Sequence, residues 1–293
     1  MDLQHPIRKA FYVAFFFGIT WAPTRETAHD AASGSGLSRG VAPADLTSAR
    51  GPTVAETTAL TCEAGMVLVE GEHCSEVEQI CVRWMDPPPY QNLRCGEYAK
   101  PARCKSGRQH RRFCIDREEF SEPAGGTVAP DALPVVNKKW GEAKALCEAR
   151  GARLCREAEW EFACEGPDMS PYPYGFRRDA TICNFDKTDL GGPMEKLKDL
   201  RAPVSGFPEC RSPFGVHHMV GNVDEWVERE NMSAPYRSAL RGGWWLPGRN
   251  RCRAATTAHD ETYAGKQVGF RCCKDAPAAA PPGATGTQAL NQP

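Results

Sequence analysis

Fourteen cysteines are the residues of this 293-residue chain with the most chemistry to offer. A thiol can close a disulfide, hold a soft metal or act as a redox nucleophile. The cysteines run from Cys62 to Cys273, and no segment repeats the Cys-x-x-Cys double pair of a zinc ribbon. A chain of this length can build a core without cross-links, so its cysteines call for an oxidising compartment and a disulfide framework. Their even number permits complete pairing.

A second cluster lies near the C-terminal end of that span, where Trp244, Trp245, Arg249, Arg251 and Arg253 fall together. These are the candidate ligand-binding residues. Side chains of successive strand residues diverge, so one tryptophan can pack while the other lines a surface. The three arginines either surround an anionic ligand or face solvent. His217 and His218 are adjacent and His259 is remote, which is not a metal-ligand spacing. No serine elbow, phosphate loop or dinucleotide fingerprint accompanies them.

Charge narrows the partners. With 36 basic and 37 acidic residues the net charge is -1, which gives no broad basic field for nucleic acid. The run Lys105, Arg108, His110, Arg111 and Arg112 reads as a solvated loop. The predicted partner is a protein, a peptide or a small molecule, and not a nucleic acid.

The elements that must position these residues begin after a long polar approach. Arg8 and Lys9 precede an apolar stretch from Ala10 to Trp21, the pattern of a secretory signal over residues 1–23. As a helix it would cover roughly 18 Å, too short for a hydrocarbon core of about 30 Å, so no transmembrane anchor is expected. A buried N-terminal helix is the other reading. Residues 24–60 and 275–293 are rich in small and turn-forming residues and read as a linker and a disordered tail. The folded domain is then 61–274, in a secreted or periplasmic protein.

Within it, Met66–Val69 and Phe113–Asp116 read as strands, and Cys74 to Cys114 as a cross-linked loop excursion. Trp140, Ala143, Leu146 and Cys147 recur at helical spacing up to a stop at Gly151. Glu157–Cys164 predicts a second helix whose Trp160 and Cys164 share one face. The fold class is α+β, with short elements and much irregular chain.

Ordered signatures then sharpen the reading. They are Ala145-Leu146-Cys147, Gly151-Ala152-Arg153-Leu154, Glu157 to Ala163, and Tyr172-Pro173-Tyr174-Gly175. Cys183-Asn184, Pro203-Val204, Phe214-Gly215-Val216, Met219 to Val227, Leu240-Arg241-Gly242-Gly243 and Gly269-Phe270-Arg271-Cys272 follow. In this order they resemble the formylglycine-generating/sulfatase-modifying family. The resemblance implies a modified C-type-lectin-like fold with short twisted sheets. It also implies the family disulfides Cys147–Cys272 and Cys164–Cys252.

The family's activity is a copper-dependent, oxygen-requiring oxidation of a sulfatase cysteine to formylglycine. Its cysteine pair lies between the Arg-Gly-Gly strand and the next Arg-Cys. Here that interval reads Trp244 to Arg251 and contains no cysteine. Copper is therefore not expected, because soft thiolates are what favour Cu(I). Calcium is the cofactor the resemblance leaves open. One implied site uses His218, the Gly221 and Val223 carbonyls and Glu225, and a second uses Asn184, the Phe185 carbonyl and Asp199. His218 departs from the oxygen donor that such a hard ion takes. The reading that follows is a noncatalytic, extracytoplasmic binding or structural protein, a pseudoenzyme on the family scaffold. The alternative is a divergent copper-dependent oxidase of the same family, with Cys273 the first candidate for its free thiol.

Overall fold

The computed structural model describes residues 61–89, 94–122, 128–193 and 196–278. The expected signal at 1–23, the linker at 24–60 and the tail beyond residue 278 lie outside them. The elements run β1 (Met66–Cys74), β2 (Val77–Glu78), β3 (Cys81–Trp84), β4 (Cys95–Tyr98), β5 (Arg103–Cys104) and β6 (Arg108–Asp116). Helix α1 (Trp140–Ala149), β7 (Arg153–Leu154) and α2 (Glu157–Glu165) follow. The chain closes on β8 (Asp224–Glu228), β9 (Ser238–Arg241), β10 (Ala255–Thr256), β11 (Val268–Phe270) and β12 (Cys272–Asp275).

One four-stranded sheet has the order β1-β6-β12-β7, and a second has the order β10-β9-β8-β11. In the second, β11 runs parallel to β8 while the other pairs are antiparallel. The first sheet is antiparallel throughout and the second is mixed, and with little regular helix around them they make the α+β class.

The basic run Arg108–Arg112 is not the solvated loop expected of it. It is the first half of β6, paired with β1 from Cys74↔Arg108 through Met66↔Asp116. Cross-strand charge makes that possible: Arg112 donates to Glu70 at 3.2 Å, and His110 meets Glu72 at 3.2 Å. The excursion from Cys74 to Cys114 likewise contains two small ribbons, β2-β5 and β3-β4. Cys74–Cys104 and Cys81–Cys95 staple them. Ribbons this short bury too little to stand alone, so covalent closure supplies the order.

Both helices start by the same device. The Glu142 carboxylate accepts the Lys139 N–H at 2.7 Å, and Glu159 accepts that of Arg156 at 2.9 Å. Trp160 and Phe162 of α2 pack with Val69, Phe113, Ile115, Met219 and Val227 in one core cluster. Trp140 of α1 joins Leu154, Trp226, Leu240, Val268 and Phe270 in another. The indole donors are met: Trp140 Nε1 donates to the Val227 carbonyl at 3.1 Å and Trp226 Nε1 to that of Lys138 at 2.9 Å. Each such side chain contributes roughly 2–3 kcal/mol by burial, which fixes β8 between the two clusters. Among the described residues no helix is long and apolar enough to cross a membrane.

Candidate functional site

The segment singled out by its tryptophans and arginines begins where β9 ends. Gly242 and Gly243 have φ of 88° and 74°, a region that only glycine enters freely. A Cβ on Gly243 would stand 2.6 Å from Asn250 Nδ2, so the loop closes on itself here. Asn250 is buried, and its Nδ2 donates to the Trp244 carbonyl at 2.6 Å. Arg178 donates to Asn250 Oδ1 at 3.1 Å and to both oxygens of Asp186 at 2.8 Å. The far end is pinned by Cys252, bonded to Cys164 of α2. A loop held by a disulfide, a buried amide and a buried guanidinium is preorganised.

This places the candidate ligand residues in three different situations. Trp245 is fully buried, whereas Trp244 is half-buried, with the two rings edge to face at 4.9 Å. They do not alternate along a strand, because the left-handed glycines end β9 at Arg241. Arg253 is no surface residue: it donates to both oxygens of Glu165 at 2.6 and 2.7 Å and to the Ser75 carbonyl at 2.9 Å. Arg251 donates to the Tyr98 hydroxyl at 3.4 Å. Only Arg249 is exposed. An arginine cradle for an anion is therefore not assembled.

Between this loop and strands β8–β10 lies a pocket of about 250 Å³. Its lining includes Asp224, Leu240, Trp244, Leu246, Pro247 and Arg249. Burial pushes the Asp224 carboxyl up to about 7, opposed by the nearby Gly243 N–H and reinforced by neighbouring Glu225. Asp224 escaped the sequence reading, although it lies within the Met219–Val227 signature. The signal was there: two adjacent acids on one strand must face opposite ways.

Glu225 faces the other side and is fully engaged. Arg271 donates to Oε1 at 2.6 Å and Oε2 at 2.7 Å, and Trp160 Nε1 donates to Oε2 at 2.7 Å. Arg271 also donates to the carbonyls of Asp116 at 3.1 Å and His217 at 2.8 Å. Beside them buried Glu119 accepts from Asn222 Nδ2 at 2.5 Å, and burial next to Glu225 raises its carboxyl well above the usual range.

The first calcium set does not fit a hard cation. Its one carboxylate already carries a guanidinium, and His218 offers nitrogen. Burial pushes that imidazole down to about 4, and neither ring nitrogen has a hydrogen-bond partner among the described residues. The backbone between them is a packed turn: a Cβ on Gly221 would meet the Asn184 carbonyl at 2.4 Å. Val223 donates its N–H to Glu119 at 3.3 Å. Of the second set, Asn184 reaches the expected loop, donating to the Leu200 carbonyl at 2.8 Å and to Asn222 Oδ1 at 2.9 Å. Phe185 is buried beside it. The adjoining Asp199 pairs with Arg201 through both oxygens, which holds its carboxyl below the usual range.

All fourteen cysteines fall within the described residues and close seven disulfides. Cys147 joins Cys272, and Cys164 joins Cys252. The other pairs are Cys62–Cys114, Cys74–Cys104, Cys81–Cys95, Cys155–Cys273 and Cys183–Cys210. Cys272 and Cys273, successive on β12, reach partners on different elements. Cys273 is thus no free thiol.

A wider cleft of about 670 Å³ lies elsewhere, walled by Tyr174, Phe176 and Phe214. Lys100 and Arg211 on its lining are balanced by Asp168 and Glu209, so it selects no sign of charge. The smaller pocket, with Asp224 as its lone carboxylate, has the more specific chemistry.

The geometry can be set beside known proteins. Over 182 residues the chain is 33% identical to a Bos taurus protein named inactive C-alpha-formylglycine-generating enzyme 2, a match covering 58% of this chain and 60% of that one. It is 30% identical over 173 residues to the formylglycine-generating enzyme of Thermomonospora curvata, covering 48% of this chain and 55% of that one. The chain therefore spans little more than half the length of these relatives. Among solved structures it is similar to PvdO from Pseudomonas aeruginosa, with a TM-score of 0.46 and 19% identity over 72% of this chain and 94% of that one. The profile of the sulfatase-modifying factor enzyme 1-like domain matches residues 91–276, and with it the chain belongs to that family.

Proposed function

We propose that this protein is a noncatalytic binding or structural protein on a formylglycine-generating-enzyme-like scaffold with a C-type-lectin-like core. The observation that carries the reading is the state of the cysteines. The interval that holds the oxidase pair in the family is Trp244 to Arg251 here, without a thiol, and all fourteen cysteines are closed elsewhere in the fold. Copper(I) chemistry of the family's kind starts from a thiolate pair, and none is left to supply it. The relative from Bos taurus whose name carries the word inactive adds support.

Seven disulfides suit an oxidising compartment, so we place the protein outside the cytoplasm, secreted or periplasmic. The Trp244–Arg253 loop is its recognition face, because it is preorganised and borders a pocket. The partner is a protein, a peptide or a small molecule. Calcium has no role at the Glu225 set, where Arg271 occupies the carboxylate.

The test is direct. Incubation of the copper-treated full chain with a cysteine-containing sulfatase peptide, followed by mass spectrometry, is expected to show no aldehyde. Thiol labelling of the denatured chain is expected to find no free cysteine. Copper-dependent conversion of the peptide would overturn the reading.

A further inference from the structure

Asp224 opens onto the pocket that the recognition loop covers. The Gly243 amide lies near its carboxylate, and among the described residues no arginine, lysine or histidine forms an ion pair with it. Arg249 lines the same pocket but is exposed and does not pair with it. The walls between are Leu240, Leu246 and Pro247, with half-buried Trp244 beside them. Asp224 is half-buried, and Asn250 and Thr256 join the apolar walls in lining the pocket. A partly desolvated carboxylate without a counter-charge gains from an incoming cation. An indole beside it favours the same class of ligand, since cations are drawn to aromatic faces.

We infer that this pocket is a cation subsite: it takes an alkylammonium or guanidinium group the size of one lysine or arginine side chain, with Asp224 as counter-ion and Trp244 as aromatic wall. The inference rests on the Trp244–Arg253 loop being the recognition face. It reverses the sign of ligand that the three arginines imply, since Arg253 is held by Glu165 and Arg251 by Tyr98. The volume of about 250 Å³ admits one such group.

Calorimetric titration of the full chain tests it. The probes are n-butylammonium, Nα-acetyl-lysine methylamide and n-butanol, the neutral isostere of the first. The two amines separate a free small-molecule source from a peptide-borne one. Either amine is expected to bind on the order of 10-fold tighter than the alcohol, the scale of one charge-assisted contact. Asp224→Asn keeps the shape and is expected to abolish that preference while the chain stays folded. Ala255→Leu fills the pocket without touching the charge and is expected to weaken amine binding; Ala255 also lines the pocket.

An alcohol that binds as well as the amines, or wild-type chain that binds no amine, would overturn the inference. Amine preference that survives in Asp224→Asn would do the same. Should Asp224→Asn fail to fold, Ala255→Leu decides, and undiminished amine binding there is the contrary result. Aldehyde formation on the sulfatase peptide would remove the noncatalytic reading and leave the amine preference standing. Loss of the preference alone would not restore an oxidase.

Discussion

Asp224 and Glu225 are neighbours on β8, and the two sides of that strand treat a carboxylate in opposite ways. On the core side, Glu225 takes three donors from Arg271 and Trp160, and the guanidinium itself reaches backbone carbonyls. On the pocket side, Asp224 has the Gly243 amide and a void. The difference separates a scaffold charge from a charge with unmet capacity. A buried acid alone does not mark a site; an acid at the wall of a pocket, without a cationic partner, does.

The core side should be the more expensive one to disturb. Glu225→Gln leaves Arg271 buried without its counter-charge, and is expected to cost about 3–5 kcal/mol in urea unfolding. Replacing both residues with apolar ones of similar volume is expected to cost less, because no uncompensated charge remains. A Glu225→Gln chain as stable as the wild type would put the two sides of β8 on the same footing.

Next comes the covalent hold on the pocket loop. Cys164 and Cys252 are 88 residues apart in sequence, and their bond ties the loop to α2. Replacing both with alanine is expected to cost about 2–4 kcal/mol, through the loosened unfolded state and two small voids. Hydrogen exchange should speed up in 243–254 and leave the Trp160–Glu225–Arg271 neighbourhood protected. Equal acceleration in both places would mean that core and pocket open as one unit.

How much of this was legible beforehand follows the range of each interaction. The helices around Trp140 and Trp160 write themselves in local spacing, and the alternation at Met66–Val69 and Phe113–Asp116 marks two strands. The exposed half of β6 was not legible, because Arg108–Arg112 has no apolar alternation and its order comes from Glu70 and Glu72, some forty residues earlier. Arg253 was misread for the same reason. Nothing near it in sequence shows that Glu165, 88 residues away, receives its guanidinium. The pocket was beyond local reading altogether, since a void exists only once β8, β9, β10 and the loop after Gly243 are in place.

Glu165 sharpens the comparison by standing between its two poles. Like Glu225 it is fully buried and holds an arginine through both oxygens. Unlike Glu225 it shares that arginine with a second acid, since Glu161 lies 3.8 Å from Arg253. Burial therefore pushes the Glu165 carboxyl up to about 7 against the pull of Arg253, with Glu161 adding to the rise. The sign follows from proton binding. Between the unfolded value near 4.5 and the folded value near 7 the native chain holds more protons, so stability from this group is present at low pH and is lost as pH rises through 7. Glu165→Gln imitates the protonated form at every pH. Its stability is expected to fall less between pH 5 and pH 8 than that of the wild type, by about 1–2 kcal/mol, as measured by urea unfolding at the two values. If the two chains lose the same amount, Arg253 outweighs burial and Glu165 belongs with Glu225, as a scaffold charge fully matched by its arginine.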